Sequence, residues 1–187
     1  MKQLSTVMVT MLLGLCLSAA NAQEFVWAPD FPVGSQIPPI DAPDQTGTQR
    51  NITDLSGDKG LVLVLSRSFD WCPYCISQLQ QLVDVADELK ALGLGIATMT
   101  YDSLETLQNA GIDYDTTFPL LRDENTVHVT GLGILNTGYE PGSRAYGIPY
   151  PGIFLLDSDG TVRFKFAEED YRMRPDFSHV LEAAEQM

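Results

Sequence analysis

Two cysteines three residues apart, Cys72 and Cys75, carry the clearest chemistry in the sequence, and Pro73 and Tyr74 between them complete a Cys-Pro-Tyr-Cys motif. The apolar run 61–65 before the motif has the pattern of a strand buried on both faces. After the motif, apolar residues recur at three- and four-residue steps, which is typical of an amphipathic helix. The sequence therefore predicts that both thiols lie where a buried strand leads into a helix.

Cys72 is predicted to be the N-cap residue of this helix, because Pro73 lacks an amide proton and suits the first helical position. A thiolate at the N-cap accepts hydrogen bonds from free amides of the first turn and lies at the positive end of the helix dipole. Both effects lower the pKa of the thiol and make it a nucleophile near neutral pH. Cys75 lies one turn further on the same side, so we predict that Cys72 attacks the substrate and Cys75 resolves the mixed disulfide.

A cysteine pair also occurs as half of a zinc site or as an inert structural bridge. Zinc requires further ligands, and beyond the first 22 residues the chain has no third cysteine and only two histidines, His128 and His179, without ligand-like spacing. A Cys-x-x-Cys motif beside a strand–helix unit is more typical of redox chemistry. We therefore predict no metal, and no cofactor other than the redox-active disulfide between Cys72 and Cys75.

Residues 1–22 have the features of a secretory signal peptide. Lys2 supplies a positive charge, residues 7–17 form a short apolar core, and Ala20-Asn21-Ala22 matches a cleavage site. A retained membrane anchor is the alternative, but the apolar run is short against the roughly 20 residues that a membrane span needs. We predict cleavage after Ala22, a domain of residues 23–187, a periplasmic or secreted location, and no stable membrane insertion once the signal is removed.

The chain is strongly acidic, because 25 Asp and Glu against 11 Lys and Arg give a net charge of −14 over 187 residues. Phosphate backbones and anionic membrane surfaces repel such a chain, which argues against nucleic-acid binding. Its length suits one domain with a sizeable core. In an oxidising compartment Cys72 and Cys75 form a disulfide unless something reduces them, so an external reductant or oxidant is expected as a partner.

The rest of the pattern alternates strands and helices. It predicts an extended proline-rich lead-in over the domain surface, a second buried strand, a short helix, a brief extended segment, a long loop, a β-hairpin and a final amphipathic helix. In chain order these cover residues 23–44, 94–99, 103–110, 118–121, 134–146, 153–166 and 175–186. A loop as long as the fifth of these is uncommon in a compact domain and often functional, so we expect it to border the site.

The order of these elements, with Cys-x-x-Cys at the start of the first long helix and a proline just before the hairpin, resembles the thioredoxin fold. More closely, the stretch 33–181 resembles redoxins of the alkyl hydroperoxide reductase/thiol-specific antioxidant (AhpC/TSA, peroxiredoxin-like) family. The resemblance implies an α/β, thioredoxin-like fold with a central mixed β-sheet flanked by helices and an extended N-terminal lead-in. The motifs that carry it are Gly34-Ser35-Gln36-Ile37-Pro38, Arg67-Ser68-Phe69-Asp70-Trp71-Cys72-Pro73-Tyr74-Cys75, Tyr101-Asp102-Ser103 and Tyr146-Gly147-Ile148-Pro149-Tyr150-Pro151-Gly152-Ile153-Phe154.

The same resemblance implies a thiol-dependent oxidoreductase with antioxidant activity, whose partners are protein or small-molecule thiols and disulfides, or peroxides. Two departures from the family bear on that choice. Typical peroxiredoxins have Thr or Ser where this chain has Phe69, and Arg just before a strand where it has Pro151, and both missing groups are expected to bind the peroxide. We therefore predict thiol-disulfide exchange as the main activity, with peroxide reduction through Cys72 as the alternative.

Several neighbours are predicted to support the cysteine pair. Trp71 is expected to form an apolar wall facing the substrate, rather than pack only in the core. Arg67 supplies positive charge near the Cys72 thiolate unless it is simply solvated, and Asp70 caps the helix or accepts a proton from Cys75 unless it is an exposed loop carboxylate. The full set of predicted supporting residues is Arg67, Asp70, Trp71, Pro73, Tyr74, Tyr150 and Pro151.

The thioredoxin fold places a cis-proline beside its cysteine pair, and the resemblance implies such a bond between Tyr150 and Pro151. A cis X-Pro bond costs only about 0.5–1 kcal/mol, so a fold can impose it. Its purpose would be to expose the backbone groups of Tyr150 for pairing with an extended substrate segment. Pro149, which also precedes the predicted hairpin, is the other candidate.

Overall fold

A computed structural model of the protein describes residues 25–187. The predicted signal peptide lies outside the described residues, so its cleavage and the export of the protein remain predictions. The strands are β1 Asp41–Pro43, β2 Gln49–Asn51, β3 Gly60–Leu65, β4 Leu94–Thr100, β5 Leu120–Arg122, β6 Gly152–Leu156 and β7 Val162–Phe166. The helices are α1 Ile52–Leu55, α2 Pro73–Ala91, α3 Leu104–Asp113, α4 Val127–Gly131 and α5 Phe177–Ala184, and a 3₁₀ turn covers Glu124–Thr126.

A five-stranded mixed sheet forms the centre of the domain, in the order β5-β4-β3-β6-β7. β3 pairs in parallel with β4 and antiparallel with β6, and β6 pairs antiparallel with β7. All six residues of β3 are buried, which explains its continuous apolar run. The predicted central mixed sheet flanked by helices is therefore confirmed.

Side chains of β3 alternate between two apolar layers, one on each face of the sheet. Val62 and Val64 belong to the layer that α2 and α5 cover, and Leu63 belongs to a layer that includes Trp27 and Ile37 of the lead-in. Burial of a large apolar side chain contributes about 1.5–3 kcal/mol. The prolines of the lead-in predicted a segment that only lies over the domain surface. The structure corrects this, because Trp27 and Ile37 of the lead-in are part of the core.

The connection from β3 to α2 is the scaffold of the cysteine pair. β3 ends at Leu65, and the amide of the next residue, Ser66, donates to the carbonyl of Met99 in β4 at 2.9 Å. α2 then begins at Pro73, as predicted, and buries Leu79, Leu82 and other apolar residues against the sheet. The cysteine pair is thus anchored on both sides, by the central strand before it and by a long packed helix after it.

The other predicted elements are present with shifted ends. α3 runs past Ala110, the predicted end of the short helix, to Asp113. β6 and β7 form the predicted hairpin, and the long segment 132–151 before it contains no helix or strand. Among residues 25–187, no helix combines the length and the apolar composition that a membrane crossing requires.

Candidate active site

A disulfide joins Cys72 and Cys75, with 5.3 Å between their Cα atoms. Cys72 is the N-cap of α2, as predicted, and its Sγ accepts a hydrogen bond from the Cys75 amide at 3.3 Å. The exposed fractions of the two residues are only 1% and 0%. The redox pair is therefore covered by neighbouring side chains, and these determine its chemistry.

Arg174 contacts the cysteine pair from a position 99 residues along the chain, where its Nη2 donates to the Cys75 Sγ at 3.5 Å. Burial, together with the charge of Arg67, lowers the pKa of Arg174 to about 10, so the guanidinium remains protonated at neutral pH. Arg174 is absent from the predicted site residues. The only signal for it in the sequence is the closeness of Arg172 and Arg174 in a chain with few basic residues.

Arg67 is buried, with an exposed fraction of 6%. Its guanidinium carbon lies 5.1 Å from the ring centre of Trp71 and 4.2 Å from that of Tyr171. Cation–π contacts of this kind contribute about 0.5–2 kcal/mol each. Arg67 is therefore held inside the site, and the alternative of a simply solvated side chain does not hold.

Neither Arg67 nor Arg174 has a carboxylate within 4.0 Å among residues 25–187. The Nε atoms of both residues also lack a hydrogen-bond partner in that part of the chain. Buried charges are normally paired, so a buried Arg67 and a half-buried Arg174 that both lack a carboxylate partner are unexpected in a chain of net charge −14. Arg174 contacts the Cys75 Sγ and the charge of Arg67 acts on Arg174, so together they create a positive potential that favours a thiolate or an oxyanion formed there.

Trp71 links the site to the long segment before β6. The guanidinium carbon of Arg144 lies 5.7 Å from the Trp71 ring centre. Trp71 Nε1 donates to the Tyr101 hydroxyl at 2.9 Å, and that hydroxyl donates to the carbonyl of Arg144 at 2.6 Å. The long loop therefore borders the site, as predicted, and Trp71 is a half-buried part of its wall.

Asp70 does not cap α2, because Cys72 fills the N-cap position. The Asp70 carboxylate instead binds the guanidinium of Arg144, and both side chains are more than half exposed, at 58% and 65%. An ion pair this exposed contributes about 0–1 kcal/mol. With the carboxylate engaged by Arg144, no described hydrogen bond supports Asp70 as a proton acceptor for Cys75.

Asp102 fixes the turn that carries Arg67 and the cysteines. Its buried carboxylate accepts hydrogen bonds from the Ser68 hydroxyl at 2.7 Å, the Phe69 amide at 2.6 Å and the Thr100 hydroxyl at 2.9 Å. Burial raises the pKa of Asp102, and these hydrogen bonds oppose the rise. In the sequence, the Tyr101-Asp102-Ser103 motif indicated only the family resemblance. Nothing in the motif predicted that Asp102 binds the turn.

Replacing Asp102 with asparagine is expected to destabilise the protein by about 2–3 kcal/mol, because an amide offers only one acceptor oxygen to three buried donors. Urea unfolding of Asp102→Asn measures the change, with Asp58→Asn as the control at an exposed position. Equal unfolding midpoints for the two variants would show that Asp102 does not hold the turn.

The predicted cis bond between Tyr150 and Pro151 is wrong, because every peptide bond in residues 25–187 is trans. The backbone of Tyr150 is used inside the fold instead. Its amide donates to the carbonyl of Ile134 at 2.7 Å, and its carbonyl accepts from Trp27 Nε1 at 2.9 Å. These groups are therefore not free to pair with a substrate segment, and no described hydrogen bond joins Tyr150 or Pro151 to the cysteine pair.

The other predicted neighbours lie around the start of α2. Pro73 occupies the first turn, and the partly exposed Tyr74 packs edge-on against Tyr171, with 6.2 Å between ring centres. Phe69 is buried in the core and its amide is bound to Asp102, so its apolar side chain offers the site no hydrogen-bond donor. Within residues 25–187, no group of three or more His, Cys, Asp or Glu is arranged to bind a metal.

Comparison with known proteins supports the resemblance to the AhpC/TSA family independently of the site's geometry. The model of the AhpC/TSA family matches residues 33–165 of the chain. Peroxiredoxin Bcp of Escherichia coli (strain K12) is 31% identical over 138 residues, which cover 71% of this chain and 83% of the relative.

Solved structures match as well. Peroxidoxin BcpB from Mycobacterium tuberculosis gives a TM-score of 0.72 at 20% identity and covers 84% of this chain and 98% of its own. Thiol peroxidase from Chromobacterium violaceum gives a TM-score of 0.69 at 21% identity and covers 84% of this chain and 88% of its own. At these identities the matches concern the fold alone, and they confirm the predicted thioredoxin-like α/β fold.

Proposed function

The chain belongs to the AhpC/TSA family of thiol-dependent oxidoreductases, and we propose that it is a peroxiredoxin-type thiol peroxidase that reduces hydrogen peroxide or alkyl hydroperoxides through Cys72. One observation carries this proposal. Two guanidiniums without carboxylate partners lie at the site: the half-buried Arg174 donates to the Cys75 Sγ, and the charge of the buried Arg67 acts on Arg174.

A peroxidase needs positive charge at this position for a specific reason. The Cys72 thiolate attacks one peroxide oxygen, the O–O bond breaks, and the electron pair leaves on the other oxygen as hydroxide or alkoxide, which then takes up a proton. Preorganised donors that stabilise the leaving oxygen speed such a step. Arg67 and Arg174 thus supply positive charge in place of the Thr or Ser hydroxyl and the Arg that the family usually has at the positions of Phe69 and Pro151.

Resolution follows from the spacing of the two sulfurs. After attack on peroxide, Cys72 carries a sulfenic acid, and the Cys75 thiolate attacks its sulfur to form the disulfide and release hydroxide, which protonates to water. The Cα separation of 5.3 Å is within the usual range for a disulfide, so α2 need not unwind. An external thiol then returns the pair to the reduced state.

Thiol-disulfide exchange, the activity that the sequence favoured, is the second candidate. It requires a low-pKa thiol, a resolving partner and room for a substrate segment. The Tyr150 backbone, which was expected to bind that segment, is hydrogen-bonded within the fold. The relative named Peroxiredoxin Bcp also supports peroxide reduction better than exchange.

The proposed intermediate is directly testable. Reduced Cys75→Ser protein, given one equivalent of hydrogen peroxide and then dimedone, is expected to carry a dimedone adduct on Cys72 in mass spectra, because no resolving thiol remains to consume the sulfenic acid. Cys72→Ser protein serves as the control and should carry none on Cys75. Unmodified, still reduced Cys72 after this treatment would contradict the proposal.

A further inference from the structure

A groove beside the cysteine pair runs between α2 and the segment from Arg172 to Leu181. It encloses about 640 Å³, which is within the range of about 300–1,000 Å³ that is usual for small-molecule sites. Tyr74 and Ser77 of α2 form one wall, and Met173 and Phe177 contribute to the other. The groove therefore has the size of a site for a small ligand and begins within one turn of the disulfide.

The floor of the groove contains polar groups that the chain leaves without partners. Gln78 has an exposed fraction of 2%, and neither its Oε1 nor its Nε2 has a hydrogen-bond partner among residues 25–187. Arg174 also lines the groove, and its Nε is similarly unpaired. A buried amide without partners is unfavourable, so these groups fit a ligand that offers a donor and an acceptor side by side. The N–H and C=O of one residue in an extended peptide have this arrangement.

The charges around the groove are mixed. Asp84 and Asp176 bring negative charge, and Arg172 and Arg174 bring positive charge. The Arg172 guanidinium is engaged by Asp170, whereas Arg174 has no carboxylate within 4.0 Å among residues 25–187. A carboxylate on the ligand would pair with Arg174, and an ammonium group would suit the acidic residues.

We propose that this groove binds a short peptide thiol with free carboxylates, and that this thiol reduces the disulfide of Cys72 and Cys75. The inference rests on the proposed function, since a peroxidase must be reduced after each turnover. Arg174 connects the two parts, because it lines the groove and donates to the Cys75 Sγ at 3.5 Å. A protein reductant would bury about 800 Å² on this chain. A small peptide thiol needs only a groove of the size found here.

The proposed reduction uses two thiols. The first, as thiolate, attacks the Cys72 Sγ, the bond between the protein sulfurs breaks, and the electron pair goes to Cys75, whose thiolate Arg174 stabilises. The second attacks the ligand sulfur of the mixed disulfide, which releases the oxidised ligand dimer and the Cys72 thiolate. Two electrons thus pass from two thiols to one protein disulfide.

Glutathione is the test reagent, because it combines a thiol, peptide groups, an ammonium and two carboxylates. Reduction of the oxidised protein by glutathione is expected to saturate, and Gln78→Leu is expected to raise the half-saturating concentration about 10-fold or more. Gln80→Leu makes the same change on an exposed position of α2 and should have no effect. Reduction by dithiothreitol, which has no peptide group or charge, should be equal in all three proteins.

Protein stability separates a binding role from a structural one. Because Gln78→Leu removes a buried, unpaired amide, its melting temperature should match or exceed that of the unchanged protein. A parallel loss of reduction by glutathione and by dithiothreitol would mean general damage and would overturn the inference. So would unsaturable reduction by glutathione, equal behaviour of Gln78→Leu and Gln80→Leu, or far faster reduction by a thioredoxin that Gln78→Leu leaves unchanged.

Failure of this inference and failure of the proposed function give different results. Single-turnover oxidation of the reduced protein by hydrogen peroxide tests the peroxidase proposal without any reductant. If that step is fast and Gln78→Leu has no effect on glutathione, only the groove proposal fails. If that step is slow, the peroxidase proposal fails, while the glutathione experiment on the disulfide still decides whether the groove binds a peptide thiol.

Discussion

Arg67→Gln is expected to lower the second-order rate constant for hydrogen peroxide about 100-fold, since loss of one preorganised donor to a developing oxyanion commonly costs ~10²–10³ in rate. The guanidinium is buried between Trp71 and Tyr171, where its charge is only weakly screened. Stopped-flow fluorescence of the reduced protein measures this step, because Trp71 lies beside the cysteines.

Two further variants separate charge from packing at Arg67. Arg67→Lys retains the positive charge and should recover part of the rate, although lysine cannot stack on the rings as a guanidinium does. Arg163→Gln makes the same substitution at an exposed position of β7 and should react as the unchanged protein does. A peroxide rate in Arg67→Gln equal to that in Arg163→Gln would exclude Arg67 from the reaction.

Arg174→Gln is expected to slow formation of the disulfide from the Cys72 sulfenic acid about 10–100-fold at neutral pH, because an adjacent cation lowers a thiol pKa by about 1–3 units. Arg174 contacts the Cys75 Sγ, so its removal raises the pKa of the Cys75 thiol and reduces the thiolate available for attack. The rate of resolution should therefore reach its plateau at a higher pH in this variant.

The pH dependence of the resolving phase measures the effect of Arg174, and thiolate absorbance of Cys75 in a Cys72→Ser background checks the pKa itself. Arg172→Gln is the matched control, because that guanidinium is bound to Asp170 at the surface. A variant that merely perturbed folding would lower the rate at every pH. An unchanged pH profile in Arg174→Gln would therefore rule out this role.

Local sequence was sufficient to predict the position of the cysteine pair. The apolar run before it, Pro73 after Cys72 and the periodicity of α2 act over one or two turns, so the N-cap at Cys72 could be derived without knowledge of the rest of the fold. The hairpin of β6 and β7 was predictable for the same reason, because its turn residues and strand pattern are adjacent in sequence.

Contacts between distant parts of the chain were not predictable in this way. Arg174 reaches Cys75 across 99 residues, and Asp102 reaches Ser68 across 34, through packing that no local pattern encodes. The error at Tyr150 has the same origin, since Trp27, 123 residues away, binds the carbonyl that was expected to bind substrate. Of the two guanidiniums at the site, Arg67 was predicted because it lies five residues before Cys72, whereas Arg174 was not.

The peroxidase assignment is tested most directly by measuring the reaction of the reduced protein with two oxidants in parallel. We expect hydrogen peroxide to oxidise Cys72 and Cys75 to the disulfide with a second-order rate constant far above that of free cysteine, while insulin disulfides are reduced no faster than by a small dithiol. Peroxide reactivity no greater than that of free cysteine, together with rapid reduction of insulin, would contradict the assignment and restore disulfide exchange as the function.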